Sequence, residues 1–217
     1  MEKPKLLDLF CGAGGAAMGY YRAGFEVVGV DINPQPHYPF EFHQADALTY
    51  LLEGFDAYHA SPPCQAWSKA SKQWRIKGKH YPELVDAVRA LLETTGKPFV
   101  IECVPLAPLR ETCVLNGSMF GLNISRTRHF ETSFDIPFIL LPPERKPVKM
   151  GRPIKRGDMV QPVGHFSGVN YVAAEMGLAG FTQCELSQAI PPAYTEYIGG
   201  YLLKEVLNGR GNNSDSL

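Results

Sequence analysis

Two residues stand out for their chemical potential, the thiol of Cys64 and the carboxyl of Glu102. Cys64 lies in the segment SPPCQAWS (residues 61–68), where it follows a Pro-Pro turn at the predicted end of an apolar strand. Most cysteines are small buried apolar residues, but a thiol in a turn at a strand end is placed for nucleophilic attack. Gln65 and Ser68 add polar groups beside it. The segment therefore predicts a covalent bond between the protein and its substrate.

A basic loop follows this cysteine. Residues 68–80 hold five cations, namely Lys69, Lys72, Arg75, Lys77 and Lys79. Trp67 precedes them and Trp74 lies among them. Such a loop raises the local positive potential, which favours the thiolate form of a neighbouring cysteine. It also suits a phosphate backbone. A merely solvated surface loop is the alternative interpretation.

Glu102 lies inside the apolar run of residues 99–104, so we expect burial to raise its pKa enough for it to carry a proton at neutral pH. A thiolate and a protonated acid together can activate a heteroaromatic ring, because one attacks and the other protonates a ring nitrogen. Arg126 and Arg128 alternate, so both would face one side of a strand and could hold a phosphate or support a substrate base. A Glu–Arg pair at a strand edge and an ordinary surface strand are the alternatives.

The N-terminal elements that position these groups have a nucleotide-binding order. Predicted strands at residues 5–10 and 25–31 flank the turn DLFCGAGG (residues 8–15) and a helix over residues 16–23. Asp31 closes the second strand, where an acid can accept hydrogen bonds from ribose hydroxyls, and Ile32 could pack on a purine face. A third short strand over residues 43–48 carries Asp46. A tight turn without a ligand, and acids that only cap turns, are the alternatives.

Further βα units follow, with a helix over residues 82–94 and a strand over residues 98–104. Repeated units of this kind predict a doubly wound, Rossmann-like α/β fold with ligands at the carboxyl ends of the strands. We predict a cofactor-binding and catalytic domain over residues 1–131 and a small irregular insert over residues 132–181. A C-terminal segment over residues 182–208, with a helix over residues 194–207, would pack back on the first domain. Residues 209–217 are predicted to be a disordered tail.

Composition narrows the class of protein. The chain has 217 residues, and 45% of them are hydrophobic, which suits one compact domain. Its net charge is −1, so any surface that binds nucleic acid must be local. Five cysteines without a CxxC pair argue against a disulfide framework or a structural zinc site and for a reducing compartment. With no signal-peptide pattern and no run near the ~20 apolar residues of a membrane span, we expect a cytoplasmic protein, and we expect a monomer.

The motifs together resemble those of the DNA cytosine-C5 methyltransferases, in the same order along the chain. DLFCGAGG resembles the first cofactor motif, VDIN (residues 30–33) the second and QADAL (residues 44–48) the third. SPPCQAWS resembles the nucleophile motif, and IECV (residues 101–104) the Glu-Asn-Val element. RTRHF (residues 126–130) resembles the Arg-x-Arg motif and QAIPPAYTEYIG (residues 188–199) the closing motif. The resemblance spans nearly the whole chain.

This resemblance implies S-adenosylmethionine as methyl donor, S-adenosylhomocysteine as product and no metal. Phe10 and Ile32 would contact the adenine, Asp31 the ribose and Asp46 the adenine amino group. The full set of implied cofactor contacts is Phe10, Gly12, Gly14, Asp31, Ile32, Asp46, Pro63, Ala189 and Ile190.

The resemblance also implies double-stranded DNA as the partner, with the target cytosine flipped out of the duplex. Cys64 would add to C6, Glu102 would engage N3 and the exocyclic amine, and Arg128 would help to hold the base. The implied catalytic set is Cys64, Gln65, Glu102, Arg126 and Arg128. Implied DNA contacts are Ser68, Lys69, Lys72, Arg75, Lys77 and Lys79 on a loop that closes over the DNA, and Arg152, Lys155 and Arg156 in the insert.

The chain departs from the family pattern in three places. Cys103 replaces the usual Asn after the catalytic Glu, Gln188 stands where the closing motif usually has Asn, and the short insert should read few base pairs. A tRNA cytosine-C5 methyltransferase is one alternative, although that branch usually shows a Thr where this chain has Ser68. A catalytically weak DNA-binding regulatory homologue is the other, supported by Cys103 alone. A donor that carries a group other than methyl is a further possibility. The short chain resembles a minimal bacterial or phage enzyme.

Overall fold

The structure, a computed structural model, describes residues 2–110, 112–137, 142, 145–149 and 151–214. In this part of the chain one sheet contains β1 (Lys5–Leu9), β2 (Glu26–Asp31), β3 (Glu41–Gln44), β4 (Ala57–Ala60), β5 (Phe99–Cys103), β6 (Thr112–Leu115) and β7 (Arg128–Thr132). Their order is β3-β2-β1-β4-β5-β7-β6. Strands β1 to β5 are parallel, and β7 runs antiparallel to both β5 and β6.

The helices of the described chain are α1 (Gly15–Ala23), α2 (Lys72–Ile76), α3 (Val85–Glu93), α4 (Val169–Met176), α5 (Gln183–Gln188) and α6 (Pro192–Ser214). Short 3₁₀ turns lie at Lys69–Ser71 and Gly117–Phe120. None of these helices is long and apolar enough to cross a membrane.

Both faces of the sheet are covered, as the doubly wound fold requires. Leu6 of β1 packs on one side with Tyr20 of α1 and Ile198 of α6. Leu7 and Leu9 pack on the other side, in the cluster that includes residues of α3. Because neighbouring side chains of β1 are buried on opposite faces, the strand is a nearly continuous apolar run rather than an alternating one. The predicted α/β fold is confirmed.

The order of the strands reverses at β1. The chain runs from β1 to β2 and β3 on one side, and β4 and β5 lie on the other side. In such sheets ligands bind in the crevice at the carboxyl ends of the two strands that flank the reversal. Leu9 pairs with Ala60 there, and the Ser61 amide donates to the Leu9 carbonyl at 3.1 Å. The glycine-rich turn after β1 and the cysteine turn after β4 therefore start side by side.

The predicted insert is less irregular than expected. Helix α4 lies within it, and Val160, Phe166, Val172 and Met176 form an apolar cluster of their own. The same cluster takes in Ile124, from before the expected boundary, and Leu186 and Ala189, from after it. Single-sequence patterning missed this unit because its apolar residues are distant in sequence and meet only in the folded chain.

Three predicted boundaries differ from the structure. The strand expected at residues 43–48 is β3, which ends at Gln44, so Asp46 follows the strand. Arg126 precedes β7 and is not part of it. Helix α6 continues to Ser214, through most of the predicted disordered tail, and the remaining residues 215–217 lie outside the described chain. An ion pair helps to hold this end, because Nη2 of Arg210 lies 2.6 Å from Oδ2 of Asp56.

The packing of α6 on α1 depends on a glycine. A Cβ atom on Gly19 of α1 would lie 2.1 Å from Oγ1 of Thr195 and 2.2 Å from the carbonyl oxygen of Pro192. A Cβ atom on Gly200 of α6 would meet nothing within 4 Å. The two helices can approach this closely only because Gly19 has no side chain.

We therefore expect Gly19→Ala to destabilise the protein by about 1–3 kcal/mol, because the added methyl group forces the helices apart. The matched variant Gly200→Ala should be neutral or stabilise it by up to about 1 kcal/mol, through the higher helix propensity of alanine. Urea unfolding followed by circular dichroism measures both. Equal stability of the two variants would contradict the close helix approach.

Candidate active site

A cavity of about 1070 Å³ lies at the carboxyl ends of β1, β2, β4 and β5. It brings together all five predicted catalytic residues, Cys64, Gln65, Glu102, Arg126 and Arg128. Seven of the nine predicted cofactor contacts also line it, namely Phe10, Gly12, Asp31, Ile32, Pro63, Ala189 and Ile190. Residues from the insert and from α5 close its remaining side.

The nucleophile turn is held by its own backbone. The Cys64 carbonyl accepts hydrogen bonds from the amides of Trp67 at 3.0 Å and Ser68 at 2.9 Å. Arg75 reaches back from α2, and its Nη1 donates to the carbonyls of Gln65 at 2.6 Å and Ser68 at 2.8 Å. These bonds engage one nitrogen of the guanidinium group of Arg75, so this residue braces the nucleophile turn. The prediction that Arg75 contacts DNA stays a prediction.

The ionisation of Cys64 differs from the prediction that the basic loop favours a thiolate. Burial raises the pKa of the Cys64 thiol, and the charge of Glu102 raises it further. Arg128 and Arg126 lower that pKa but do not reverse the shift. The loop lysines are not among the groups that lower it, because their charges lie out in solvent, where water screens them. The resting thiol therefore keeps its proton.

Glu102 is buried on β5 and is paired with an arginine. Nε of Arg128 lies 2.8 Å from Oε1 of Glu102. Burial raises the pKa of Glu102, and Arg128, Arg126 and a hydrogen bond from Ser61 oppose that rise. The raised pKa agrees in direction with the predicted acid that holds its proton. The pairing of Glu102 with an arginine agrees with the alternative interpretation.

Arg126 joins two segments beside the cavity. It is 4% exposed, and its Nη1 donates to the carbonyls of Pro162 at 2.9 Å and Ser187 at 3.0 Å. Burial, together with the neighbouring charge of Arg128, lowers the pKa of Arg126 to about 9. Arg126 thus hydrogen-bonds both the insert and the C-terminal segment, and its Nε donor has no partner among the described residues.

The far end of the cavity has the chemistry of a nucleoside site. Asp31 holds the glycine-rich turn, because its Oδ2 accepts the Gly12 amide at 3.1 Å and its Oδ1 accepts the Asn33 amide at 2.9 Å. Gly12 has φ 50° and open space where a Cβ atom would be. Phe10 has φ 57°, the one positive value at a non-glycine position in the described chain. Ile32 is 66% exposed, so an apolar surface faces the cavity uncovered.

Two predicted cofactor contacts are not brought to the cavity. Gly14 has φ 91° and packs against Tyr38 and Pro39, which a Cβ atom would touch at 3.0 and 2.7 Å. Its role is to end the turn before α1. Asp46 is exposed, and its Oδ1 accepts the Leu48 amide at 2.9 Å in a local turn.

Among the predicted DNA contacts, Ser68 and Lys69 line the cavity. Ser68 caps the 3₁₀ turn by accepting the Ala70 amide at 3.2 Å. The other lysines and arginines lie outside the cavity wall, and Lys77 sits over the ring of Trp74 at 5.2 Å. Among these, the exposed cations include Lys72, Lys79, Arg152, Lys155 and Arg156. Lys149 of the insert also lines the cavity.

Sequence reasoning also missed a buried polar chain behind Glu102, made by Tyr20, His59 and Ser61. No motif signals it, since it joins α1 to β4. All five cysteines are unpaired. Among the described residues, no group of three or more His, Cys, Asp or Glu side chains is placed to hold a metal ion.

The fold and the site together define a Rossmann-like α/β domain with a ligand-binding cavity at the switch point of its sheet. Residues 4–107 match the C-5 cytosine-specific DNA methylase family. This match spans just under half of the chain. The match covers the glycine-rich turn, Asp31, the Cys64 turn and Glu102.

Curated relatives of the same kind are similar in sequence. Type II methyltransferase M.FnuDI of Fusobacterium nucleatum is 31% identical over 110 residues, which is 46% of this chain and 32% of the relative. Type II methyltransferase M.AquIA of Picosynechococcus sp. is 30% identical over 125 residues, 48% of this chain and 49% of the relative. The matched segment thus covers between a third and a half of these relatives.

Solved structures share the fold. A putative DNA modification methyltransferase encoded within a prophage (E. coli) has a TM-score of 0.63 at 16% identity, with 94% of this chain and 99% of that chain covered. The Entamoeba histolytica methyltransferase EhMeth has a TM-score of 0.59 at 13% identity, with 95% and 99% covered. At these identities the likeness concerns the fold alone.

The raised thiol pKa predicts slow alkylation of Cys64. Only the thiolate reacts, so at pH ~7.5 iodoacetamide should label exposed Cys184 before half-buried Cys64, and the Cys64 rate should keep rising above pH ~8.5. Peptide mass mapping of a labelling time course measures both sites in one sample. Faster labelling of Cys64 at pH ~7.5 would contradict the protonated resting state.

Proposed function

We propose that this protein is a DNA cytosine-C5 methyltransferase that takes its methyl group from S-adenosylmethionine. The observation that carries the proposal is the convergence of a thiol, a buried carboxyl and a guanidinium group in one cavity. These groups belong to Cys64, Glu102 and Arg128, and they come from the ends of β4, β5 and β7. A metal-free site with this set can add a nucleophile to an electron-poor ring and protonate that ring at the same time.

The nucleoside end of the cavity fits the cofactor. Asp31 keeps lone pairs free for ribose hydroxyls after binding two amides, and exposed Ile32 offers an apolar face to adenine. Gly12 leaves room for the methionine moiety, and Pro63, Ala189 and Ile190 would line the rest. When bound, S-adenosylmethionine supplies an electrophilic methyl group.

The protein's own groups would then act on a cytosine flipped into the cavity. The Cys64 sulfur bonds to C6 while Glu102 gives its proton to N3, so the electron pair of the C5–C6 double bond becomes available at C5. After C5 gains the methyl group, the C5 proton is lost to solvent, the C6–sulfur bond breaks so that Cys64 departs as thiolate, and N3 returns its proton to Glu102, which restores the aromatic ring. Because the resting thiol is protonated, Cys64 must lose its proton on substrate binding, and Arg126 and Arg128 stabilise the resulting thiolate.

Exposed cations around the opening suit a duplex. Lys69, Lys72 and Lys79 lie on the side of the nucleophile turn, and Arg152, Lys155 and Arg156 lie on the insert. Phosphate contacts of this type fix the position of a protein on DNA without reading its sequence. We propose double-stranded DNA as substrate for a monomer in the reducing cytoplasm.

Transfer of labelled methyl groups tests this function. Mixed-sequence duplex DNA should gain 5-methylcytosine, and Cys64→Ala should lower the rate at least about a thousandfold because the covalent step is lost. Cys113→Ala, on β6, serves as a cysteine control with the rate retained. Methylation of tRNA instead of DNA would favour the tRNA alternative, and transfer to neither would favour a non-catalytic DNA-binding protein.

Cofactor binding gives an independent prediction. Asp31→Ala should weaken the binding of S-adenosylhomocysteine by about ten- to a hundredfold, because charge-assisted hydrogen bonds are lost. Asp46→Ala removes an exposed carboxylate that only caps a turn, so it should change the affinity by less than about threefold. Isothermal titration calorimetry measures both. An equal loss of affinity in both variants would indicate that Asp46 contacts the cofactor. An unchanged affinity in Asp31→Ala would contradict the proposed role of Asp31.

A further inference from the structure

A chain of buried polar groups leads from α1 to the carboxyl of Glu102. The Tyr20 hydroxyl lies 2.9 Å from Nδ1 of His59, and Nε2 of His59 lies 2.9 Å from Oγ of Ser61. Ser61 follows β4 beside Glu102, since Ala60 pairs with Ile101 and both Ser61 and Glu102 line the cavity, and its hydroxyl lowers the pKa of Glu102. Tyr20 and His59 are 0% exposed, so their side chains make these hydrogen bonds inside the protein. The three side chains link the core of the sheet to the acid in the cavity.

Packing alone does not explain His59. The other three residues of β4 are Ala57, Tyr58 and Ala60, all buried, and an apolar side chain at position 59 would continue that pattern without a desolvation cost. A buried imidazole persists where both ring nitrogens have partners, and here both do. The partner on the cavity side, Ser61, is the one that touches Glu102.

We propose that His59 is a positioning residue for Glu102, acting through Ser61 to hold the carboxyl group in one orientation and to set how readily it releases its proton. The inference rests on the proposed function, in which Glu102 is the acid. His59 itself touches neither the cavity nor the substrate.

The hydrogen bonds have a consistent direction when Glu102 is ionised. Burial lowers the pKa of His59 to about 3, so the ring is neutral at physiological pH and has one donor and one acceptor nitrogen. Tyr20 then donates to Nδ1, Nε2–H donates to Ser61, and Ser61 donates to the carboxylate. When Glu102 holds its proton and donates it to Ser61, the chain reverses and the ring takes its other tautomer. Loss of the Glu102 proton is thereby coupled to the tautomer of His59.

Other ionisable groups face the same chain. On the side of His59, Oδ1 of Asp8 lies 4.0 Å from Nε2, and burial raises the pKa of Asp8 well above its usual range, which favours a neutral carboxyl there. On the side of Glu102, the facing groups are Arg126, Arg128, Cys64, Cys103, Tyr20 and Tyr194. Ser61 is the hydroxyl donor within this set, so its removal isolates the proposed connection.

The first test follows the titration of Glu102 by carbon-13 NMR of labelled glutamate carboxyls, with Glu102→Gln to assign the signal. Ser61→Ala should raise the pKa of Glu102, because the hydroxyl stabilises the ionised form. Ser133→Ala is the matched control, since its Oγ accepts the Phe99 amide at 2.8 Å elsewhere on the sheet. His59→Leu should shift the same signal. If His59→Leu does not fold, Tyr20→Phe takes its place, because it removes the hydroxyl that lies on Nδ1 of His59.

The second test uses the pH dependence of methyl transfer. The active form pairs a protonated Glu102 with a Cys64 thiolate whose pKa is higher, so the acidic limb of kcat/KM reports the pKa of Glu102. Ser61→Ala should move that limb to higher pH while lowering kcat about tenfold. His59→Gln keeps a hydrogen-bond donor and an acceptor at this position, so it should lose less kcat than His59→Leu. Tyr58→Phe, which removes another buried hydroxyl that bonds the Leu52 carbonyl, should leave the limb in place.

The outcomes separate the two proposals. An unchanged Glu102 titration in both Ser61→Ala and His59→Leu overturns the positioning role, even if the wild type methylates DNA. No methyl transfer by the wild type refutes the proposed function, and the NMR titration still decides whether His59 and Ser61 control the carboxyl.

Discussion

The buried pairing of Arg128 with Glu102 is the interaction on which the site depends. In the antiparallel register of β5 and β7, Glu102 lies opposite Phe130, so Arg128 is its diagonal neighbour on the same face. A buried carboxyl without a cation beside it would stay protonated at almost any pH, and a buried ion pair is maintained only where further hydrogen bonds satisfy it. Arg128 and Ser61 supply that balance. The reversed strand β7 therefore has a chemical role as well as a structural one.

The same balance governs the nucleophile. Cys64 packs against the apolar cluster of Val85, Cys103 and Val104, and it faces the charge of Glu102 on one side and two arginines on the other. Both the thiol and the carboxyl consequently hold their protons more tightly than they would in water. A site of this kind is unreactive when empty, and substrate binding must change the surroundings of Cys64 to release its proton. Such an arrangement protects a cysteine in a wide cavity from unproductive reaction.

Much of the site was predictable because parallel strands end at one edge. Phe10, Asp31 and Cys64 follow or close apolar runs and Glu102 lies near the end of one, so recognising the runs was enough to bring these residues together. Asp46 also follows a strand, but a local turn takes up its carboxylate. The position of Asp46 depends on its neighbours in the folded chain, which the sequence does not show.

The errors have the same origin. The thiolate prediction for Cys64 counted nearby charges along the chain, whereas burial and a single carboxylate across the sheet dominate its pKa. The contact of Tyr20 with His59 spans 39 residues and follows no periodic pattern. Pairs of this kind are fixed by tertiary packing alone.

Covalent trapping is the most direct measurement. The protein would be incubated with S-adenosylmethionine and a duplex that contains 5-fluorocytosine, whose C5 substituent cannot leave, and then analysed by intact mass spectrometry. A protein–DNA adduct that carries one methyl group and maps to Cys64, and that is absent in Cys64→Ala, is the predicted result. No adduct with wild-type protein that binds both cofactor and duplex would contradict the proposed covalent mechanism.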